Sequence, residues 1–71
     1  MSEIKQIEDI KQLFIMSVGS PETRNKAIDA LAAYGNSGMD AINDLMSITV
    51  NEDVKAYGLR TIKKMKEAMK K

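Results

Sequence analysis

The chain has 71 residues, 44% of them hydrophobic, and eleven basic against ten acidic residues give a formal net charge of +1. This length allows one small domain, and this hydrophobic share is typical of a folded rather than a disordered chain. The sequence contains neither cysteine nor histidine, which excludes disulfides, a thiol nucleophile, cysteine or histidine zinc sites and a histidine general base. We therefore expect one domain over residues 1–71 that is not an enzyme and has no catalytic residue, metal or cofactor.

Breakers at three places divide the chain into four predicted helices. At the first boundary, Gly19 is expected to end a helix in the left-handed conformation, and Ser20 and Pro21 to start the next one as N-cap and first helical residue. No segment alternates apolar and polar residues, so no strand is expected. The short connections make neighbouring helices antiparallel, and the predicted helices lie near residues 3–18, 21–34, 38–50 and 52–69.

The other two boundaries carry similar signals. Gly35 is expected to end the second helix in the same left-handed conformation. Ser37 and Asp40 have the spacing of a capping box for the third helix, and Asn51 is a good N-cap for the fourth. Asp40 and Asp44 share a helix face, as oxygen ligands of a metal would, but capping and solvation account for both residues without a site.

The charges are distributed unevenly along the chain. Residues 27–54 contain five acids and no base, whereas residues 55–71 contain seven bases and one acid. If neighbouring helices stack, we expect these opposite charges to neutralise each other partly within one molecule. The same separation of charge also suits head-to-tail pairing of two copies.

An internal repeat relates the two halves of the chain. A shift of 31 residues aligns the second helix with the fourth, and a shift of 32 aligns the first with the third. A period of this length built from two helices is typical of helical repeat arrays. The residues that the two shifts bring together include Ala27 and Gly58, Ile28 and Leu59, Leu31 and Ile62, Leu13 and Leu45, and Phe14 and Met46.

The repeated pattern resembles HEAT repeats, in particular the short HEAT-like type of phycobilisome lyases and many prokaryotic scaffold proteins. It combines a cap, an acid, a base, two small positions and a large apolar residue. Thr23 and Thr61 depart from it, because the family prefers Val and Ala at these places. The segments that carry the resemblance are Pro21-Glu22-Thr23-Arg24, Asp40-Ala41-Ile42 and Asp53-Val54-Lys55, with the apolar positions that follow each.

The resemblance implies an all-α fold of four helices in two hairpins, about one and a half HEAT-like repeats of a right-handed α–α superhelix. It also implies a non-catalytic interaction or adaptor module. Gly58 supports this reading, because glycine in mid-helix costs roughly 1 kcal/mol relative to alanine and a small residue lets helix backbones approach closely. Ile28 and Leu59 lie off the main apolar stripe of their helices, which indicates a second packing face.

Three apolar residues are candidates for an interaction surface: Ile15, Leu59 and Met69. Ile15 lies in an apolar run, so it either packs on the last helix or stays uncovered. Arrays usually need about three repeats to bury a continuous core. We therefore expect the open end of this short stack to associate with a second copy or with another protein.

Nucleic-acid binding is the alternative function. The basic residues of the last helix are candidate phosphate contacts: Arg60, Lys63, Lys64, Lys66 and Lys70. Lysines at a helix C-terminus also offset the helix dipole and keep a terminal repeat soluble, which accounts for them without a ligand. No stretch of about 18 apolar residues and no signal-peptide pattern is present, so we expect a cytoplasmic protein without a membrane partner.

Overall fold

The computed structural model describes residues 2–69 and contains four helices. The expected all-α class is confirmed, and no strand occurs between residues 2 and 69. The predicted ends of the first three helices lie two residues too far along the chain, and the third helix begins two residues earlier than predicted. The observed helices are α1 (Glu3–Met16), α2 (Pro21–Ala32), α3 (Asn36–Ile48) and α4 (Glu52–Met69).

Two predicted helix starts are confirmed in detail. The Ser20 hydroxyl accepts a hydrogen bond from the Thr23 backbone N–H at 3.4 Å, and Pro21 is the first residue of α2. The Asn51 side-chain oxygen accepts from the backbone N–H groups of Asp53 at 2.9 Å and Val54 at 3.1 Å. These bonds satisfy donors that a helix N-terminus leaves without an intrahelical partner.

The predicted role of Gly19 is wrong. Helix α1 already ends at Met16, with Ser17 as its C-cap, and the only positive φ in residues 2–69 belongs to Gly35. The Ser17 hydroxyl donates to the Leu13 carbonyl at 2.6 Å and its N–H donates to the Phe14 carbonyl at 3.1 Å. Because these bonds satisfy carbonyls of the last turn, α1 ends without a left-handed glycine.

The predicted capping box of Ser37 and Asp40 is also wrong. Helix α3 begins at Asn36, and Gly35 precedes it with φ of 68° as an N-cap without a side-chain hydrogen bond. Gly35 has the expected positive φ, but its ψ of −134° is not that of a left-handed helical residue, and it precedes α3 instead of ending α2, whose C-cap is Ala33. Gly38 lies against α2 so closely that a Cβ atom there would overlap the Leu31 carbonyl oxygen.

Each helix packs against the next helix and the next but one. Helix α1 contacts α2 and α3, α2 also contacts α3 and α4, and α3 contacts α4. Within residues 2–69, α1 and α4 do not contact each other. A closed ring of four helices would bring the first and last helices together, so this arrangement is open at α1 and α4.

The core fills the space between these helix pairs. Its largest fully buried side chains are Phe14, Ile28, Leu31, Ile42, Leu45 and Val54. Gly58 faces this core, and a Cβ atom there would overlap the sulfur of Met46. Gly58 therefore makes room for a side chain of α3, whereas the sequence suggested a close approach of two backbones.

Polar side chains also join the helices. The Arg24 Nε–H donates to the Phe14 carbonyl at 3.1 Å, and its guanidinium lies 4.4 Å from the centre of the Phe14 ring. The Tyr34 hydroxyl donates to Gln6 at 3.0 Å. These contacts tie α2 to α1 and satisfy carbonyl and amide groups that packing partly removes from water.

Candidate interaction surface

The clearest surface feature is a difference between residues that the repeat places in equivalent positions. Ile28 on α2 is 0% exposed, whereas Leu59 on α4 is 50% exposed. At the other end of the stack, Leu45 on α3 is 1% exposed and Leu13 on α1 is 50% exposed. Each buried member lies on an inner helix, and each exposed member lies on a helix with no further helix beyond it.

Leu59 lies in the middle of the outward face of α4. Lys55 and Lys63 are one turn before and one turn after it, and Lys66 is two turns after it, so all four residues share one side of the helix. The three lysines are exposed. We call these four residues, Lys55, Leu59, Lys63 and Lys66, the cationic face.

The bases of α4 form no ion pair between residues 2 and 69. The pairs within this range are Lys5 with Asp9 at 3.9 Å, Lys11 with Glu8 at 3.8 Å, and Lys11 with Asp44 at 3.6 Å. The opposite charges lie on adjacent helices, as expected, because Asp29 of α2 lines a cleft with Arg60 and Lys64 of α4, but they form no direct ion pair within residues 2–69. The lysines of the cationic face therefore have no ion-pair partner in the described part of the chain.

The three predicted interaction residues do not form one surface. Ile15 is 42% exposed, Leu59 50% and Met69 45%. Ile15 does not pack on the last helix, because α1 and α4 do not contact each other in the described part of the chain. Met69 is ten residues after Leu59, on the side of α4 that carries Gly58 and Ile62.

The predicted phosphate contacts lie on α4. Arg60, Lys63, Lys64 and Lys66 are all exposed there, and Lys70 lies outside the described residues. Arg60 and Lys64 line one side of a cleft of about 250 Å³ between α2 and α4. Lys63 and Lys66 belong to the cationic face, so the bases divide between two sides of the helix.

A tyrosine and an aspartate close the bottom of this cleft. The Tyr57 hydroxyl donates to Asp29 at 2.7 Å. This hydrogen bond, together with partial desolvation and the negative charge of Asp29, raises the pKa of Tyr57 above its ordinary value of 10.0. The raised pKa keeps the phenol protonated near neutral pH, so the hydroxyl acts here as a hydrogen-bond donor that joins α2 to α4.

An acidic line on α3 extends a face that the sequence already indicated, because Asp40 and Asp44 were expected to lie on one side of the helix. Asp40, Asp44 and Ile48 follow each other at intervals of four residues, which places them on one side of the helix. The Asp44 side chain is 72% exposed and Ile48 is 63% exposed. Capping and solvation accounted for the two aspartates in the sequence, so Ile48 was not recognised as part of the same face. We call these three residues the acidic face.

Exposed apolar residues also occupy aligned positions near the ends of α1 and α3. Met16 and Ile48 are equivalent at a shift of 32 residues, and they are 79% and 63% exposed. Val18 and Val50 are equivalent at the same shift, with 74% and 92% exposure. Because both members of each pair are exposed, these positions differ from Leu13 and Leu59, whose aligned residues are buried.

Comparison with known proteins gives no relationship from which a function could be transferred. No family model, no curated protein and no solved structure matches the chain. Within the described range, no group of three acidic side chains is arranged to hold a metal ion. None of the helices between residues 2 and 69 combines the length and apolarity that a membrane span needs.

Proposed function

We propose that this chain is a non-catalytic protein-interaction module of about one and a half HEAT-like repeats. Two observations support the repeat architecture. The shifts of 31 and 32 residues pair α2 with α4 and α1 with α3, and each helix contacts the next and the next but one while α1 and α4 stay apart. Stacked helical hairpins pack in this way, because each repeat contacts its neighbour on one side only.

The single observation that carries the proposed function is the exposure of Leu59. Its equivalent, Ile28, is buried inside the stack, whereas Leu59 remains half exposed among three lysines. The aligned position is buried where another helix covers it, so the outward face of α4 offers a partner the apolar contact that a following helix would make. The outward face of α4 is therefore the proposed docking surface.

Site-specific photocrosslinking in the source cell tests this proposal. A photoreactive residue at position 59 is expected to form adducts with protein. The same residue at position 12 serves as the matched control, because Gln12 is exposed on α1, which does not contact α4. Equal or absent adduct formation at the two positions would contradict a docking surface on α4.

Nucleic-acid binding through α4 is the second candidate. The unpaired state of its bases within residues 2–69 favours it, because phosphates would supply the missing counter-charges. Tyr57 is the one aromatic residue of α4 and faces α2, so base stacking contributes little. This candidate predicts duplex binding that weakens steeply with salt and is lost when Lys63, Lys64 and Lys66 are replaced by Glu. Absence of binding at low salt would remove it.

A further inference from the structure

The cationic face of α4 and the acidic face of α3 have matching chemistry within one chain. The first carries an apolar residue, Leu59, beside Lys63 and Lys66, and the second carries an apolar residue, Ile48, beside Asp44 and Asp40. All of these residues are exposed. Residues 27–54 contain no base, and α4 carries five bases against three acids. The two faces are therefore opposite in charge, and each also has one exposed apolar residue.

The spacing of the two faces also matches. A helix rises about 1.5 Å per residue, which places Lys63 about 6 Å and Lys66 about 10 Å from Leu59 along the axis. On α3, running in the opposite direction, Asp44 lies about 6 Å and Asp40 about 12 Å from Ile48 along the axis. Antiparallel packing of α4 on α3 of another molecule therefore places Leu59 on Ile48 and each lysine near an aspartate.

We infer that the partner of the cationic face is the acidic face of a second copy of this chain. This inference rests on the proposed interaction function and names the partner. The contact uses two different surfaces, so it is heterologous: a pair of copies still has one free cationic face and one free acidic face, and association extends to chains or closes into rings.

Existing contacts of the acidic face do not prevent this pairing. Asp44 lies 3.6 Å from Lys11 of α1, but the aspartate side chain is 72% exposed. Exposed ion pairs of this kind contribute little to stability and leave the other carboxylate oxygen free to accept. Asp40 lies in none of the ion pairs between residues 2 and 69.

The apolar centre favours a protein surface over nucleic acid. A phosphate backbone needs only positive charge, and Leu59 at the centre of the lysines would stay in water or contact sugar edges without specific gain. Against a second copy, Leu59 and Ile48 cover each other and the surrounding charges are compensated.

Sedimentation of the purified full chain with charge-reversed variants tests the inference. At high protein concentration and about 0.01 M salt, where screening is weak, the mean mass is expected to rise above the 7.9 kDa of the monomer. Lys63→Glu with Lys66→Glu, and separately Asp40→Lys with Asp44→Lys, are each expected to give monomers. The four substitutions combined in one chain are expected to restore the larger mass, because every pair then has opposite charges again.

A matched control separates face-specific pairing from an effect of net charge. Lys5→Glu with Lys26→Glu changes the net charge equally but lies on α1 and α2, and it is expected to leave association unchanged. Circular dichroism checks that each variant keeps its helices. The inference is overturned if the wild-type chain stays monomeric, if the control variant dissociates equally, or if the four-fold variant stays monomeric.

The two proposals fail in different ways. If position 59 forms protein adducts in the cell but the purified chain stays monomeric, the interaction function is supported and a second copy is not its partner. Binding of duplex DNA by a monomeric chain, lost with Lys63→Glu and Lys66→Glu, likewise overturns it in favour of nucleic acid. Absence of adducts at position 59 removes the interaction function itself.

Discussion

Some residues of this chain have roles set by their neighbours in sequence, and others have roles set by residues far away along the chain. Ser20 and Asn51 cap the helices that follow them directly, so their roles could be predicted. Gly38 and Gly58 are constrained by Leu31 and Met46. A glycine's nearest neighbour across a helix interface is not visible in the local sequence, which is why these two roles became clear only in the structure.

The glycines allow a matched test of close packing. Gly38→Ala is expected to lower the free energy of unfolding by about 1–3 kcal/mol, because the new Cβ overlaps the Leu31 carbonyl and backbone atoms must move. Gly19→Ala is the control: no atom lies within 4 Å of its Cβ position and its φ is not positive. Urea denaturation is expected to show its stability unchanged or raised by up to about 1 kcal/mol. Equal stability of the two variants would contradict the close crossing of α2 and α3.

The Tyr57–Asp29 hydrogen bond predicts a specific alkaline behaviour. The folded state raises the pKa of Tyr57 above 10.0, so above about pH 10 the unfolded chain loses this proton while the folded chain keeps it. Stability from this group is complete below pH 10 and is lost as the pH rises through the folded pKa. Ultraviolet titration of wild type against Tyr57→Phe isolates the Tyr57 phenol, which is expected to titrate above pH 10. A Tyr57 component that titrates at or below pH 10 would contradict the bond.

At the scale of helices, start signals were predicted better than ends. Helix α2 begins at Pro21 and α4 at Glu52, as the caps indicate. The end of α1 was misplaced because Ser17 satisfies the last carbonyls with its own hydroxyl and N–H. The start of α3 was misplaced because Gly35 turns the chain directly into the helix, without the side-chain cap expected two residues later.

Alanine substitution at the two predicted N-caps, Asn51 and Ser37, tests which of them caps a helix. Asn51→Ala is expected to lower the free energy of unfolding by about 1 kcal/mol, since two N–H groups of α4 lose the side-chain acceptor. Ser37→Ala is expected to change it by less than about 0.5 kcal/mol, because Ser37 is an exposed helical residue. Thermal and urea denaturation measure both. A larger loss for Ser37→Ala than for Asn51→Ala would restore the capping box and contradict the observed start of α3.

At the scale of the whole molecule, the alignment of the two halves of the chain was accessible from sequence, but the difference in exposure between aligned residues was not. Ile28 and Leu59 are chemically similar and occupy equivalent positions. One is buried and the other exposed because a helix covers α2 and none covers the outer side of α4. The charge distribution behaves in the same way. The charges of each segment can be counted in the sequence, but the side of each helix that carries them depends on the packing.

The same pair gives a stability test of the stack. Ile28→Asp is expected to cost more than about 4 kcal/mol, because it places an unpaired charge in the core. A core of this size supplies only about 3–5 kcal/mol in total, so this variant is expected to be unfolded. Leu59→Asp in dilute solution is expected to change stability by less than about 0.5 kcal/mol. Circular dichroism of both variants provides the measurement, and unfolding of dilute Leu59→Asp would mean that Leu59 belongs to the core.

The proposed docking role of the outward face of α4 is tested most directly by photocrosslinking from position 59 in cells, measured with and without Lys63→Glu and Lys66→Glu. Protein adducts are expected from position 59 in the wild-type background, few or none from position 12, and a strong loss from position 59 when the two lysines are reversed. Adduct yields at position 59 that equal those at position 12, or that do not change on charge reversal, would contradict a docking surface formed by Leu59 and its lysines.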